Sequence, residues 1–99
     1  VQAEQHYLAA LALRVLGEVE LRRGHHTQAQ QHIQKSIKIA IENQDPFLEA
    51  YGWRAMGQVQ QAQQGKIEAK ADFDKAIALF EEMGLENEIE KTLAMVANP

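Results

Sequence analysis

The chain of 99 residues carries 10 Lys and Arg against 14 Asp and Glu, a formal net charge of −4, so it lacks the basic surface that binds nucleic-acid phosphates without sequence preference. It has no cysteine, which removes disulfides, thiolate metal sites and thiol nucleophiles and suits a reducing compartment, the cytoplasm. No apolar run approaches the roughly 20 residues that cross a bilayer, and the N-terminus is neither a signal peptide nor an initiator methionine, so the chain reads as an excised or processed piece of at most one small domain.

Abundant Ala, Gln, Glu, Leu and Ile, with two prolines and six glycines, make helix the default throughout. The first helix shows Leu13, Leu16, Val19 and Leu21 along its apolar side and stops at Gly24, ahead of His25, His26 and Thr27. Thr27, followed three residues later by Gln30, has the form of a capping box for the second helix, whose apolar positions are Ala29, Ile33, Ile37 and Ile41. Asp45–Pro46 marks the third start: an acid as N-cap, then a proline at the first helical position, where its missing donor costs nothing. Gly65 is expected to end the third helix as a C-terminal glycine, and Gly84 the fourth. A fifth helix begins near Glu86 or Asn87, with Ile89, Leu93 and Val96 as a narrow apolar stripe.

Sliding the sequence by forty residues brings Leu8 onto Leu48, Arg14 onto Arg54, Gly17 onto Gly57, Ala29 onto Ala69, Lys35 onto Lys75 and Ile37 onto Ile77. Small residues also fall on small ones (Ser36 and Ala76), and bulky ones on bulky ones (Leu13 and Trp53, Leu16 and Met56, Ile33 and Phe73). A period of this length is the mark of a solenoid built from two-helix units. The units predicted are about 4–44 and about 45–84, with a partial third or capping helix at about 86–97, all in one domain. The third unit's missing partner helix leaves Ala94, Met95 and Val96 as an apolar end through which copies of the chain are expected to associate.

These units resemble the tetratricopeptide repeat. The first carries Leu13, Leu16–Gly17, Gly24, Ala29, Ile33 and Ser36 at the family's marked places, and the second carries Trp53, Met56–Gly57, Ala69, Phe73 and Ala76. Gly17 and Gly57 suit it physically, since a residue without a side chain lets the two helices of a unit cross closely. Two departures stand out: the usual tyrosine after the glycine is Glu20 or Gln60, and no proline ends a standard thirty-four-residue unit. The longer variety is similar to repeats in regulatory and sensor arms of large bacterial signalling proteins, such as maltose-regulator-like transcription activators, and in scaffold proteins that bind extended peptides. The resemblance implies an all-α fold of antiparallel helix-turn-helix repeats, stacked as a short right-handed α-solenoid of five helices.

It also implies that the first helix of each unit lines a concave groove for a protein or peptide partner. The residues there that the helical period leaves out of the core are Leu11, Arg14, Glu18 and Arg22, then Tyr51, Arg54, Gln58 and Gln61. Arg14 and Arg54 are equivalent positions, and their two planar forks suit a partner's carboxylates. Peptide-binding members of the family follow such a base with asparagine one turn later, whereas Glu18 and Gln58 stand here, and either arginine can instead pair with Glu18, Glu49 or a neighbour.

Other chemistry finds little support. His25, His26 and His32 lack the convergent spacing of a zinc site, so no metal and no cofactor is expected. Asp72 and Asp74 are placed on a polar face, solvated, and Trp53 and Phe73 in the core. No phosphate-binding glycine loop, nucleophile elbow or His-Glu-x-x-His occurs, which leaves no enzyme class favoured. The two functions carried forward are an interaction module and a structural or sensor arm with no ligand of its own.

Overall fold

The computed structural model describes residues 2–97. They form an all-α array: α1 (Gln2–Arg22), α2 (His26–Glu42), α3 (Pro46–Ala62), α4 (Lys66–Glu82) and α5 (Glu86–Ala97), with no strand among the described residues. Each helix packs on the next in sequence, and α1 also touches α3. The result is a slab of 39 × 31 × 18 Å.

The turns explain the regularity, because α2, α3, α4 and α5 start at residues 26, 46, 66 and 86 and each follows a turn of one backbone form. The middle residue of each turn is left-handed, with φ of 81° at Gly24, 53° at Gln44, 64° at Gln64 and 70° at Gly84. The next amide then donates to a carbonyl of the preceding helix: His25 to Glu20 at 2.8 Å, Asp45 to Ala40 at 2.9 Å, Gly65 to Gln60 at 2.8 Å and Leu85 to Phe80 at 3.0 Å. This reversal satisfies carbonyls that a helix end leaves without a partner.

Two expected helix ends change. Gly65 does not end α3, because the left-handed position falls one residue earlier, at Gln64; Gly65 has φ −86° and is the N-cap of α4. Thr27 does not cap α2 either, since His25 is the N-cap and no side chain bonds there. Asp45 behaves as its sequence suggests, accepting the Leu48 amide at 3.2 Å ahead of Pro46.

The core runs between successive helices. Ala29, Ile33 and Ile37 of α2 meet Ala55, Met56 and Val59 of α3, and Phe73 and Phe80 of α4 are fully enclosed on the other side. Each buried phenylalanine contributes about 1.5–3 kcal/mol of burial free energy. Close crossing depends on glycine: a Cβ on Gly17 would lie 2.6 Å from Ile33 Cγ1, one on Gly52 2.6 Å from Ile37 Cγ1, and one on Gly57 2.7 Å from Phe73 Cε1.

Expected apolar positions on three helices are exposed instead. Ile41 is 51% exposed, and Ala40 takes its core place. At about 100° per residue, Ala40 lies only about 20° from Ala29 around the helix, but Ile41 lies about 120° away. Leu16 is 44% exposed while its equivalent Met56 is buried, because α2 covers Met56 and no described helix covers that side of α1. On α5 the enclosed residue is Thr92, with Leu93 52% exposed.

Candidate functional site

Helices α1, α3 and α5 share one side of the slab, and their side chains lock across it. The Arg14 guanidinium lies 5.1 Å from the Tyr51 ring centroid, and that of Arg54 lies 4.8 Å from the same ring. Tyr51 is held from below by Phe80, edge-on at 5.3 Å, and from the side by Phe47 at 4.9 Å. The two arginines of the repeat therefore converge on one aromatic ring, and each cation over a ring contributes about 0.5–1 kcal/mol where solvent is near.

Both guanidiniums also hold carboxylates of the same chain. Arg14 donates to Glu18 at 3.0 Å along α1, the pairing open to it from sequence. Arg54 donates to Glu88 of α5 at 2.9 Å, and reaches Thr92 Oγ1 at 3.5 Å. Glu49 does not pair with Arg54; it accepts the Trp53 indole N–H at 3.0 Å. Arg14 and Arg54 retain 16% and 13% side-chain exposure, so their outer edges reach solvent.

The electrostatics follow from this packing. Hydrogen bonding from Arg54 is the main cause that holds the Glu88 carboxyl below the usual range, with partial burial opposing it and the charge of Arg54, the Tyr51 hydroxyl and Lys91 adding to the fall. Tyr51 moves the other way: burial raises its ionisation above 10.0, the charge and acceptor oxygens of Glu88 add to the rise, and Arg54 and Arg14 pull it partly back.

The remaining sequence candidates fall along the same side. Leu11 and Gln58 are half-buried, Arg22 is exposed at the end of α1, and Gln61 donates to the Met95 carbonyl at 3.0 Å, tying α3 to α5. Glu88 and Thr92, and the backbone carbonyl of Met95, are additions to the residues expected on this side from sequence. Their signal is spacing: residues 88, 92 and 95 recur at three and four, the same face rhythm as Tyr51, Arg54 and Gln58.

Elsewhere His32 Nδ1 meets Glu20 Oε1 at 2.6 Å and His6 Nε2 meets Asp45 Oδ2 at 3.3 Å, so these histidines bridge helices. No three His, Asp or Glu among the described residues converge as a metal site would require. Two residues depart from their expected settings. Trp53 is only half-buried, its ring under the Lys75 ammonium at 4.1 Å, whereas Phe73 is 1% exposed. Asp72, expected in solvent, is 8% exposed.

No family model matches the chain, and neither the curated proteins nor the solved structures contain a significant match to it. No described helix is long and apolar enough to cross a membrane.

Proposed function

We propose that the chain is a protein-interaction module of tetratricopeptide-like form, whose α1, α3 and α5 side receives a peptide, helix or neighbouring domain. The observation that carries this reading is the convergence of Arg14 and Arg54 on the Tyr51 ring. Tyrosine and arginine are the side chains most enriched where binding energy concentrates, since each offers large contact area with a polar edge. A partner carboxylate that replaces Glu18 or Glu88 finds a guanidinium already placed against an aromatic base, with little ordering left to do. The reading includes a cytoplasmic setting, no catalysis, and association of copies through the end of the array at Ala94, Met95 and Val96, the last of them 42% exposed.

A second reading is favoured by one specific observation: both arginines already have carboxylate partners within the chain. On that view the cluster is a brace between α1, α3 and α5, and the chain is a spacer or sensor arm of a larger regulator. One experiment separates the two. An unbiased displayed-peptide library is selected on the purified protein, and the recovered peptides are measured on Arg14→Ala with Arg54→Ala. Peptides that bind the parent and lose about tenfold or more on the helical double variant support the module. A library that yields no saturable binder, or binders indifferent to both arginines, removes the groove and leaves the brace.

A further inference from the structure

A cleft of about 380 Å³ opens between α2 and α4, within the size range of small-molecule sites. It lies across α3 from Tyr51: at about 100° per residue, Trp53 and Met56 point roughly 140–200° away from Tyr51 around that helix. Trp53 and Met56 form its floor, Ile37 and Ile41 its α2 wall, and Asp72 is supplied by α4. Nothing in the proposed interaction surface uses these residues.

Asp72 is the feature that needs an explanation. It is 8% exposed, yet among the described residues no hydrogen-bond donor, and no cation at ion-pair distance, meets its carboxylate. Its oxygens are not sealed in, and the residue lines the cleft. Burial drives the carboxyl above the usual range; Lys75 draws it partly back and Glu68 adds to the rise. Lys75 itself does not close on Asp72 but sits over the Trp53 ring. A partly desolvated carboxylate without a protein donor is less stable than a paired one, and a ligand that brings a donor relieves the cost.

We infer that this cleft binds a small organic cation, a protonated amine on a compact apolar or aromatic body, with the ammonium on Asp72 and the body over Trp53 and Met56. Charge complementarity selects that class. Lys38 and Glu42 line the cleft with opposite signs, which leaves Asp72, only partly offset by Lys75, as its remaining charge. An anion of the same shape meets that charge unfavourably, and a neutral body leaves it without a counter-ion. The Lys75 ammonium shows that the Trp53 face accepts a cation, and a charge-assisted bond strengthens where water is thin.

Trp53 is the chain's only tryptophan, so its fluorescence reports on the cleft directly. Three probes of one shape are titrated into the intact protein at neutral pH: phenethylamine, 2-phenylethanol and 3-phenylpropionate. The expected result is a saturable change with the amine, binding about tenfold or more weaker with the alcohol, and none with the carboxylate. Asp72→Asn should erase the amine's advantage while leaving the far-ultraviolet dichroism helical, since it removes a charge that bonds to nothing. Equal binding of the three probes, no saturation by the amine up to about 10 mM, or an amine preference that survives in the helical Asp72→Asn protein overturns the inference. Should that variant not fold, the comparison of the three probes on the unaltered protein decides.

Discussion

Gln64 occupies the backbone position that Gly84 occupies one helix later, with φ of 64° against 70°. An L side chain in the left-handed region costs about 1–2 kcal/mol, and glycine gives back part of that through its freer unfolded chain. Gln64→Gly is therefore expected to raise stability by about 0.5–1 kcal/mol, a rise of several degrees in melting temperature for a domain of this size. Gln44→Gly, at φ 53°, should do the same, and the two effects should add because the turns are separate. Thermal denaturation followed by dichroism checks both; a lower melting temperature would mean that the glutamine side chain holds its turn in a way the backbone does not reveal.

Gly57 has the opposite tolerance. It lies inside α3, where alanine ordinarily improves a helix by about 1 kcal/mol, but the added carbon would meet three ring atoms of Phe73 within 2.9 Å. Phe73 is 1% exposed and has no room to withdraw. Overpacking of this kind costs about 1–3 kcal/mol, enough to outweigh the propensity gain. Gly57→Ala should thus lower the urea midpoint, whereas pairing it with Phe73→Leu should recover part of the loss. A single variant as stable as the parent would show that the α3–α4 crossing can widen freely.

The close approaches at Gly17 and Gly57 and the helix start at Asp45–Pro46 were legible because each has a local cause: a missing side chain or a fixed φ. The turns at Gln44 and Gln64 were not, since glutamine carries no mark of the left-handed region, whereas the neighbouring Gly65 has the residue type that favours it. Asp72 departs from its sequence expectation for a different reason. Its charge suggested solvent, although at about 100° per residue it lies only about 40° from the buried Ala76 around α4. On the α1, α3 and α5 side the equivalence of Arg14 and Arg54 was visible in the repeat, but Glu88 was not, because the pairing crosses 34 residues and depends on how α5 settles against α3.

Tyr51 and Glu88 give a spectroscopic test of that pairing. Burial raises the tyrosine's ionisation above 10.0, and the Glu88 carboxylate adds to the rise. Glu88→Gln removes the second contribution while Arg14 and Arg54 keep pulling downward, so the Tyr51 phenolate should appear at lower pH in the variant. The chain has two tyrosines, and Tyr7→Phe leaves Tyr51 as the single absorbing phenol in an alkaline ultraviolet titration. If the titration of Tyr51 in the Tyr7→Phe background is unmoved by Glu88→Gln, the carboxylate does not sit at the ring.

Acid titration of stability should separate Asp72 from Glu88, because their shifts have opposite sign. Glu88 is depressed when folded, so its stabilisation is full above the ordinary glutamate value of 4.5 and fades as pH falls through the lower folded value. Asp72 is raised when folded, so the native state holds its proton longer than the unfolded chain does, and stability falls as pH climbs from 3.8 through the raised value. Asp72→Asn should then be more stable than the parent at pH 7 and approach it at the acid end, where both side chains are neutral. Glu88→Gln should be less stable at pH 7, since Arg54 loses its charged partner, and converge on the parent only below the depressed value. Urea midpoints between about pH 3 and pH 8 read both curves. An Asp72→Asn protein less stable than its parent at pH 7 would mean that the carboxylate has a donor in solution, and the cleft would then lose its unpartnered charge.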